Sequence, residues 1–264
     1  MPKNIGLLGC GALGSIIAKG VIEKESKGLK LSGIYEQNED VLFQILGEEG
    51  KQYFEGDFNA LLERSDIIVE ALPPAVAAEF ILPVLEKGKT LVLLSVSCLL
   101  NYPEIDKARY SLPGRLVIPS GSVAALDGVK AMNIAGIETS VIRTTKPPKS
   151  LEEAPFVKTH DINVHGLSKP KLIFEGNVRE GAKHFPANVN VAAALSFAGI
   201  GPEKTRMEVW ADPRIIYNRH TIEVIGKTGH LTMKIENYPD PSKPRSSQLA
   251  AYSVLVLLGE ECDR

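Results

Sequence analysis

Four apolar runs, separated by stretches in which apolar residues recur at helical spacing, occupy the first hundred residues. The runs read NIGLLG (4–9), LKLSGIYE (29–36), SDIIVEAL (65–72) and TLVLLSVS (90–97). Runs of this kind are typical of parallel strands, which intervening helices join and cover on both sides of the sheet. The sequence therefore predicts a Rossmann-type doubly wound α/β domain over residues 1–119.

A glycine-rich turn follows the first run. Gly9, Gly11 and Gly14 stand in the pattern G-x-G-x-x-G, and Glu36 follows the second run. In a dinucleotide site, the first glycine allows the turn, the second admits the pyrophosphate and the third lets helix and strand pack closely, while the acid binds ribose hydroxyls. Because a carboxylate repels a 2′-phosphate, the pattern favours NAD, with NADP as the second choice. The alternative is a strand–turn–helix that binds no ligand. The predicted cofactor contacts in this domain are Gly9, Gly11, Ala12, Leu13, Gly14 and Glu36.

A different pattern begins after about Pro119, where runs alternate polar and apolar residues. Such alternation is typical of strands with one exposed face, and GKTG (226–229) is a hairpin signal. An apolar helix at 187–199 ends at Gly199. We therefore expect a second α+β domain with a mostly antiparallel sheet at 120–245. A final apolar helix at 246–264 is expected to complete the first domain.

Composition narrows the class of protein. The net charge of −2 gives no electrostatic reason to expect nucleic acid or a membrane surface as a partner. The three cysteines are far apart and show no spacing typical of zinc or a disulfide framework, so no metal is predicted and a cytoplasmic location is expected. The longest apolar run (90–100) is too short to cross a bilayer.

Polar residues at the edge of the second sheet are the candidates for substrate chemistry. In the strand NRHTIEVIG, Asn218 and His220 share a face with apolar residues, at the end where that face becomes polar, whereas the other face is predicted to be solvated. A fixed cation such as Lys146, which precedes two prolines, suits a substrate carboxylate, and a solvated loop lysine is the alternative. His184 is a further candidate contact, with an exposed position at a helix end as the alternative. A histidine such as His220 is also commonly a structural core residue.

Five motifs, in this order after the glycine loop, give the chain a wider resemblance. They are GSVAALDGVKA (121–131), TTKPP (144–148), FPANVNVAAALSFAGIG (185–201), VWADP (209–213) and NRHTIEV (218–224). The series resembles the L-aspartate dehydrogenase family. One departure is NVREGAKHF (177–185), where Gly181 is expected to weaken a helix by about 1 kcal/mol relative to alanine.

The resemblance implies a function and roles for individual residues. It implies NAD(P)-dependent oxidative deamination of L-aspartate to iminosuccinate, then oxaloacetate and ammonia, feeding NAD biosynthesis. It makes His220 the catalytic base, acting on the substrate amine or on water, and places Asn190 and Ala124 against the cofactor. Helix capping by Asn188 or Asn190 is the alternative for that block, and a plain turn is the alternative for the segment of Ala124. The resemblance also implies a homodimer formed through the antiparallel sheet. Another amino-acid or imine reductase, or a non-catalytic dinucleotide sensor, remains the competing function.

Overall fold

The structure is a computed structural model and describes residues 2–24, 28–186, 189–238 and 247–262. The chain divides into two compact units. The first unit comprises Met1–Gly121 with Gln248–Arg264, and the second comprises Ser122–Ser247.

Strands and helices alternate along most of the chain. The strands are β1 (Lys3–Leu8), β2 (Leu29–Tyr35), β3 (Phe54–Glu55), β4 (Ile67–Glu70), β5 (Thr90–Leu93), β6 (Arg115–Val117), β7 (Ile137–Lys146), β8 (Lys171–Asn177), β9 (Arg206–Ala211), β10 (Asn218–Gly226) and β11 (Gly229–Asn237). The α-helices are α1 (Ala12–Glu23), α2 (Glu39–Leu46), α3 (Phe58–Arg64), α4 (Pro74–Glu86), α5 (Cys98–Asn101), α6 (Pro103–Ala108), α7 (Leu126–Ala135), α8 (Pro155–Thr159), α9 (Val178–His184), α10 (Asn190–Ala198) and α11 (Leu249–Cys262). Short 3₁₀ helices lie at Glu48–Tyr53 and Pro148–Ser150.

The first unit is built on a parallel sheet with strand order β3-β2-β1-β4-β5-β6. This order is that of a doubly wound dinucleotide-binding fold, in which the chain reverses its direction of winding between β1 and β4. The predicted Rossmann-type fold is confirmed. The sequence did not predict the edge strands β3 and β6, which have two and three residues.

The core of the first unit joins the start of the chain to its end. Ile5 of β1, Ile17 of α1 and Val254 of α11 belong to one buried apolar cluster. A Cβ atom at Gly20 would overlap the side chain of Leu255. Since Gly20 lies in α1 and Leu255 in α11, the glycine permits the two helices to approach closely.

The second unit contains a mixed five-stranded sheet with order β11-β10-β7-β9-β8. Three of its four strand pairs are antiparallel and the β7–β9 pair is parallel, so the predicted mostly antiparallel sheet is confirmed with one parallel pair. Gly226 faces Gly229 in the β10–β11 hairpin, where GKTG predicted the turn. Helix α10 ends at its C-cap Gly199, whose N–H donates to the Leu195 carbonyl.

The departure at Gly181 has a packing reason. A Cβ at this position in α9 would lie 2.5 Å from Sδ of Met207, a fully buried residue of β9. The glycine lets α9 lie close to the sheet. Asn177 and Glu180 form a capping box at the start of α9, which supports the helix that Gly181 weakens.

Candidate functional site

The glycine loop in the first unit connects β1 to α1. Gly9 has φ of +87°, a left-handed conformation that favours glycine. A Cβ at Gly14 would overlap the carbonyl oxygen of Gly9, so the helix and the end of the strand can approach this closely only with glycine. Both residues have the conformational roles that the G-x-G-x-x-G pattern predicts.

The start of α1 is suited to an anion. Gly11 is the N-cap residue and forms no side-chain cap, and the first turn, which begins with Ala12 and Leu13, contains no acidic residue. The backbone N–H groups at a helix start lack intrahelical acceptors and lie at the positive end of the helix dipole. A pyrophosphate fits these donors.

Glu36 lies beside the same loop. It follows β2 directly, and its two carboxylate oxygens accept hydrogen bonds from the Cys10 N–H (3.0 Å) and the Gln37 N–H (2.9 Å). The structure therefore brings Glu36 to the glycine loop, as the pattern predicts. The loop, the helix start and this carboxylate together fit a dinucleotide cofactor.

The thiol of Cys10 takes no part in this arrangement. Burial, with a smaller contribution from the charge of Glu36, raises the pKa of Cys10 to about 11. A thiol with this pKa stays protonated near neutral pH and is a poor nucleophile.

The end of β4 carries a buried carboxyl group, that of Glu70, which the sequence did not identify as a candidate. Glu70 is fully buried, and its oxygens accept hydrogen bonds from the Leu72 N–H (2.5 Å) and the Ser95 N–H (2.8 Å). The Ser95 hydroxyl in turn donates to the Leu72 carbonyl (2.6 Å). Glu70 thus ties together the loops after β4 and β5. Burial raises its pKa to about 7.

In the second unit, His220 is paired with Thr144. The two residues face each other across β10 and β7, and His220 Nδ1 lies 3.1 Å from Thr144 Oγ1. Both side chains are buried. The predicted placement of His220 on the buried face of its strand is confirmed, but the sequence did not identify Thr144 as its partner.

The ring of His220 is held in its neutral form. Burial lowers its pKa to about 4, and the nearby positive charge of Lys146 lowers it further in the same direction. A neutral imidazole can accept a proton, as a general base must, and the lowered pKa makes this ring a weaker base than an ordinary histidine.

Lys146 is a buried strand residue. It is the last residue of β7, only 4% exposed, and its carbonyl accepts a hydrogen bond from the Asp212 N–H (2.9 Å). The alternative of a solvated loop lysine is therefore wrong. Thr144 and Lys146 are two residues apart in one strand, so both lie on the sheet face of His220. Asp212, whose contact with Lys146 the sequence did not predict, accepts hydrogen bonds from the Arg214 guanidinium through both of its carboxylate oxygens.

The remaining predicted contacts of the second unit occupy varied positions. Asn218 is half-buried at the start of β10. Asn190 is exposed as the first residue of α10, and since Val189 is the N-cap residue, the proposed capping by Asn190 is wrong. Asn188, the other capping candidate, lies outside the described residues. Ala124 is exposed, and its N–H donates to Met233 Sδ (3.3 Å).

The structure decides one of the two interpretations of His184, that of an exposed residue at a helix end. It ends α9 half-buried among aromatic rings, with ring centroids 4.8 Å from Phe156 and 5.6 Å from Phe174. The alternative of an exposed residue is wrong. A role in substrate binding stays a prediction.

The opposite face of the second unit's sheet is less solvated than the sequence predicts. Arg143 pairs with Glu208 and Glu223, and Arg219 pairs with Glu236. Arg219 and Glu223 are half-buried in these pairs rather than fully exposed.

Comparisons with known proteins agree with both units. The family model described as "Aspartate dehydrogenase, C-terminal" matches residues 127–260, and the one described as "Homoserine dehydrogenase, NAD binding domain" matches residues 9–110. L-aspartate dehydrogenase 3 of Bordetella bronchiseptica is 35% identical over 255 residues, covering 97% of this chain and 93% of the relative. L-aspartate dehydrogenase of Nitrosopumilus maritimus is 36% identical over 265 residues, covering 98% and 97%.

A solved structure supports the fold. The crystal structure of aspartate dehydrogenase from Thermotoga maritima superimposes with a TM-score of 0.77, at 24% identity, covering 99% of this chain and 97% of that one.

Proposed function

The chain belongs to the L-aspartate dehydrogenase family, and we propose that it oxidises L-aspartate to iminosuccinate with NAD(P). This membership confirms the resemblance that the sequence motifs predict. Water then converts iminosuccinate to oxaloacetate and ammonia. The observation that carries the proposal is the buried His220–Thr144 pair with Lys146 on the same strand face, within the residues that the family's C-terminal model matches.

The first unit supplies the cofactor-binding residues. A nicotinamide held by these residues would supply the acceptor for the hydride that leaves the substrate's α-carbon. Gly9, Gly11 and Gly14 give the pyrophosphate access to the backbone N–H groups at the start of α1, with Ala12 and Leu13 in its first turn. Glu36 binds the ribose hydroxyls and favours NAD over NADP. In the second unit, we assign Ala124 and Asn190 to cofactor contacts.

The second unit supplies the residues for the substrate. His220 accepts a proton from the substrate ammonium, which frees the nitrogen lone pair to form the imine, or it activates water for imine hydrolysis. Lys146 binds a substrate carboxylate through its ammonium group. Asn218 and His184 are proposed as further contacts to the substrate.

Incubation with single amino acids and NAD, followed by NADH absorbance, tests the reaction. Activity with aspartate alone is expected. Activity with a different amino acid would support another amino-acid dehydrogenase, and no activity with any would support a dinucleotide sensor.

Substitution of the base tests its role. His220→Asn is expected to lower kcat by about 10²-fold with NADH affinity retained, because a general base acts in the chemical step. His230→Asn is the matched control, since His230 lies exposed on the neighbouring strand β11. A near-normal kcat in the His220 variant would rule out the assignment.

Assembly, location and pathway are finer proposals. We propose a homodimer formed through the antiparallel sheet of the second unit, as the family resemblance implies. The face of that sheet that carries Arg143 and Arg219 is partly exposed in one chain. Light scattering would give twice the 28.6 kDa of one chain. None of the helices in the described part of the chain has the length and apolar character needed to cross a membrane. A cytoplasmic location and a role in NAD biosynthesis stay predictions.

A further inference from the structure

The contact between Thr144 and His220 involves one of the two nitrogens of the ring, Nδ1. We propose that Thr144 is a positioning residue that keeps the His220 proton on Nδ1 and the lone pair on Nε2. The inference rests on the proposed role of His220 as the base, and it extends that role to a second residue.

The geometry covers one nitrogen of the ring. Nδ1 lies 3.1 Å from Thr144 Oγ1. Within the described residues, Nε2 of the same ring has no hydrogen-bond partner. A substrate proton therefore has to reach Nε2. A neutral imidazole carries one proton, so a lone pair on Nε2 requires the proton on Nδ1. In that tautomer Nδ1–H donates to Thr144 Oγ1, which accepts.

The reverse tautomer would disable the base. If the threonine hydroxyl donated to Nδ1, the ring proton would sit on Nε2, where it would block transfer from the substrate ammonium. After a proton transfer to Nε2, the imidazolium needs an acceptor for Nδ1–H, and Thr144 Oγ1 provides it. The hydroxyl oxygen therefore accepts the hydrogen bond from Nδ1–H both before and after the transfer.

The strand pairing makes this contact rigid. His220 and Thr144 are register partners in β10 and β7, and they are 6% and 1% exposed. Threonine is branched at Cβ and has restricted χ1 freedom. The oxygen is thus held at one place, with little room for water to replace it.

Two substitutions separate the hydroxyl from the shape of the side chain. Thr144→Val keeps the shape and removes the oxygen, and Thr144→Ser keeps the oxygen and removes a methyl group. We expect Thr144→Val to lower kcat by about tenfold, the equivalent of one hydrogen bond, with little change in the KM for aspartate or the Kd for NADH. Thr144→Ser should retain most of kcat. Thr145→Val, on the opposite face of β7, is the matched control.

A packing role would give the opposite order, because serine leaves a cavity and valine does not. Loss of activity in Thr144→Ser with activity retained in Thr144→Val would therefore overturn the proposal.

Ring ¹⁵N NMR provides a readout that does not depend on activity. Spectra of the wild type and His220→Asn identify the His220 signals among the five histidines. The expected result is a protonated Nδ1 and an unprotonated Nε2 in the wild type, with a mixture of tautomers in Thr144→Val. A proton on Nε2 in the wild type, or unchanged signals in Thr144→Val, would overturn the inference.

The two proposals fail in different ways. A wild-type protein that does not oxidise aspartate refutes the proposed function, while the NMR spectra still decide whether Thr144 sets the tautomer. A wild type that oxidises aspartate and a Thr144→Val variant with full kcat refute the positioning role alone.

Discussion

Glu70 is expected to make the first unit less stable as the pH rises, and Glu70→Gln should remove that dependence. The carboxyl group is fully buried at the end of β4, and burial raises its pKa from the ordinary 4.5 to about 7. Between these values the folded state retains a proton that the unfolded state releases. The contribution of Glu70 to stability is therefore fully present below pH 4.5 and is lost as the pH rises through 7.

The size of the effect follows from the two pKa values. Each pH unit over which one state holds a proton and the other does not changes the free energy of unfolding by about 1.4 kcal/mol. From about pH 5 to about pH 8, the wild type should therefore lose about 2.5 kcal/mol relative to Glu70→Gln. The glutamine amide cannot accept hydrogen bonds at both ends, so the variant also carries a destabilisation that does not change with pH.

Hydrogen–deuterium exchange of β4 and β5 peptides measures this difference in the first unit alone. Comparing wild type and variant at the same pH cancels the pH dependence of the intrinsic exchange rate. The difference between wild type and Glu70→Gln in the protection of these peptides from exchange should change steadily from about pH 5 to about pH 8.

His220 provides a control of opposite sign in the second unit. Burial lowers its pKa from 6.5 to about 4, so its contribution is present above pH 6.5 and is lost as the pH falls through 4. The wild type should therefore gain about 2 kcal/mol relative to His220→Asn between about pH 5 and about pH 8, read in β10 peptides. A difference between wild type and Glu70→Gln that is constant across pH would refute the reasoning for Glu70.

Three further substitutions test the cofactor and substrate residues. Gly14→Ala should destabilise the loop by about 1–3 kcal/mol and weaken NADH binding in a fluorescence titration, because its Cβ would overlap the backbone of Gly9. Gly259→Ala is the control, since its Cβ meets no atom within 4 Å, and this variant should bind NADH normally. Glu36→Gln should lower the preference for NAD over NADP by about tenfold in kcat/KM, and an unchanged ratio would contradict the role of the carboxylate. Lys146→Met should raise the KM for aspartate at least about tenfold, since it removes a charged hydrogen-bond donor, while Lys149→Met in the exposed 3₁₀ turn should leave the KM unchanged.

The fold of the first unit could be predicted because its signals are local. The strands β1, β2, β4 and β5 are rich in apolar residues, and Gly9 and Gly14 occupy positions where the backbone itself requires glycine. The strands β3 and β6 could not be predicted, because two or three residues show no periodicity.

The candidate site of the second unit could be predicted only in part. Alternation along β10 placed His220 on the buried face, since parity within one strand is a local property. Its partner Thr144 lies 76 residues away, and the contact depends on the register between β7 and β10. One sequence does not specify that register.

The buried position of Lys146 agrees with the alternation of side chains along β7. The prolines after it suggested a loop, yet β7 continues through Lys146 and keeps the alternation of Ile142 and Thr144. Extending the strand by one residue places the lysine on the buried face. Proline restricts the residue before it to extended conformations, which is compatible with the end of a strand.

In the proposed mechanism, β7 links substrate binding to catalysis in the second unit. Thr144 contacts the His220 ring, and Lys146, two residues further along the same face of β7, lowers the pKa of that ring by its charge. A carboxylate bound to Lys146 would offset this charge and make proton transfer to His220 easier. If Lys146 binds the substrate as proposed, an aspartate analogue that lacks the bound carboxylate should lose kcat as well as affinity, because the charge of Lys146 adds to the effect of burial in lowering the pKa of the histidine.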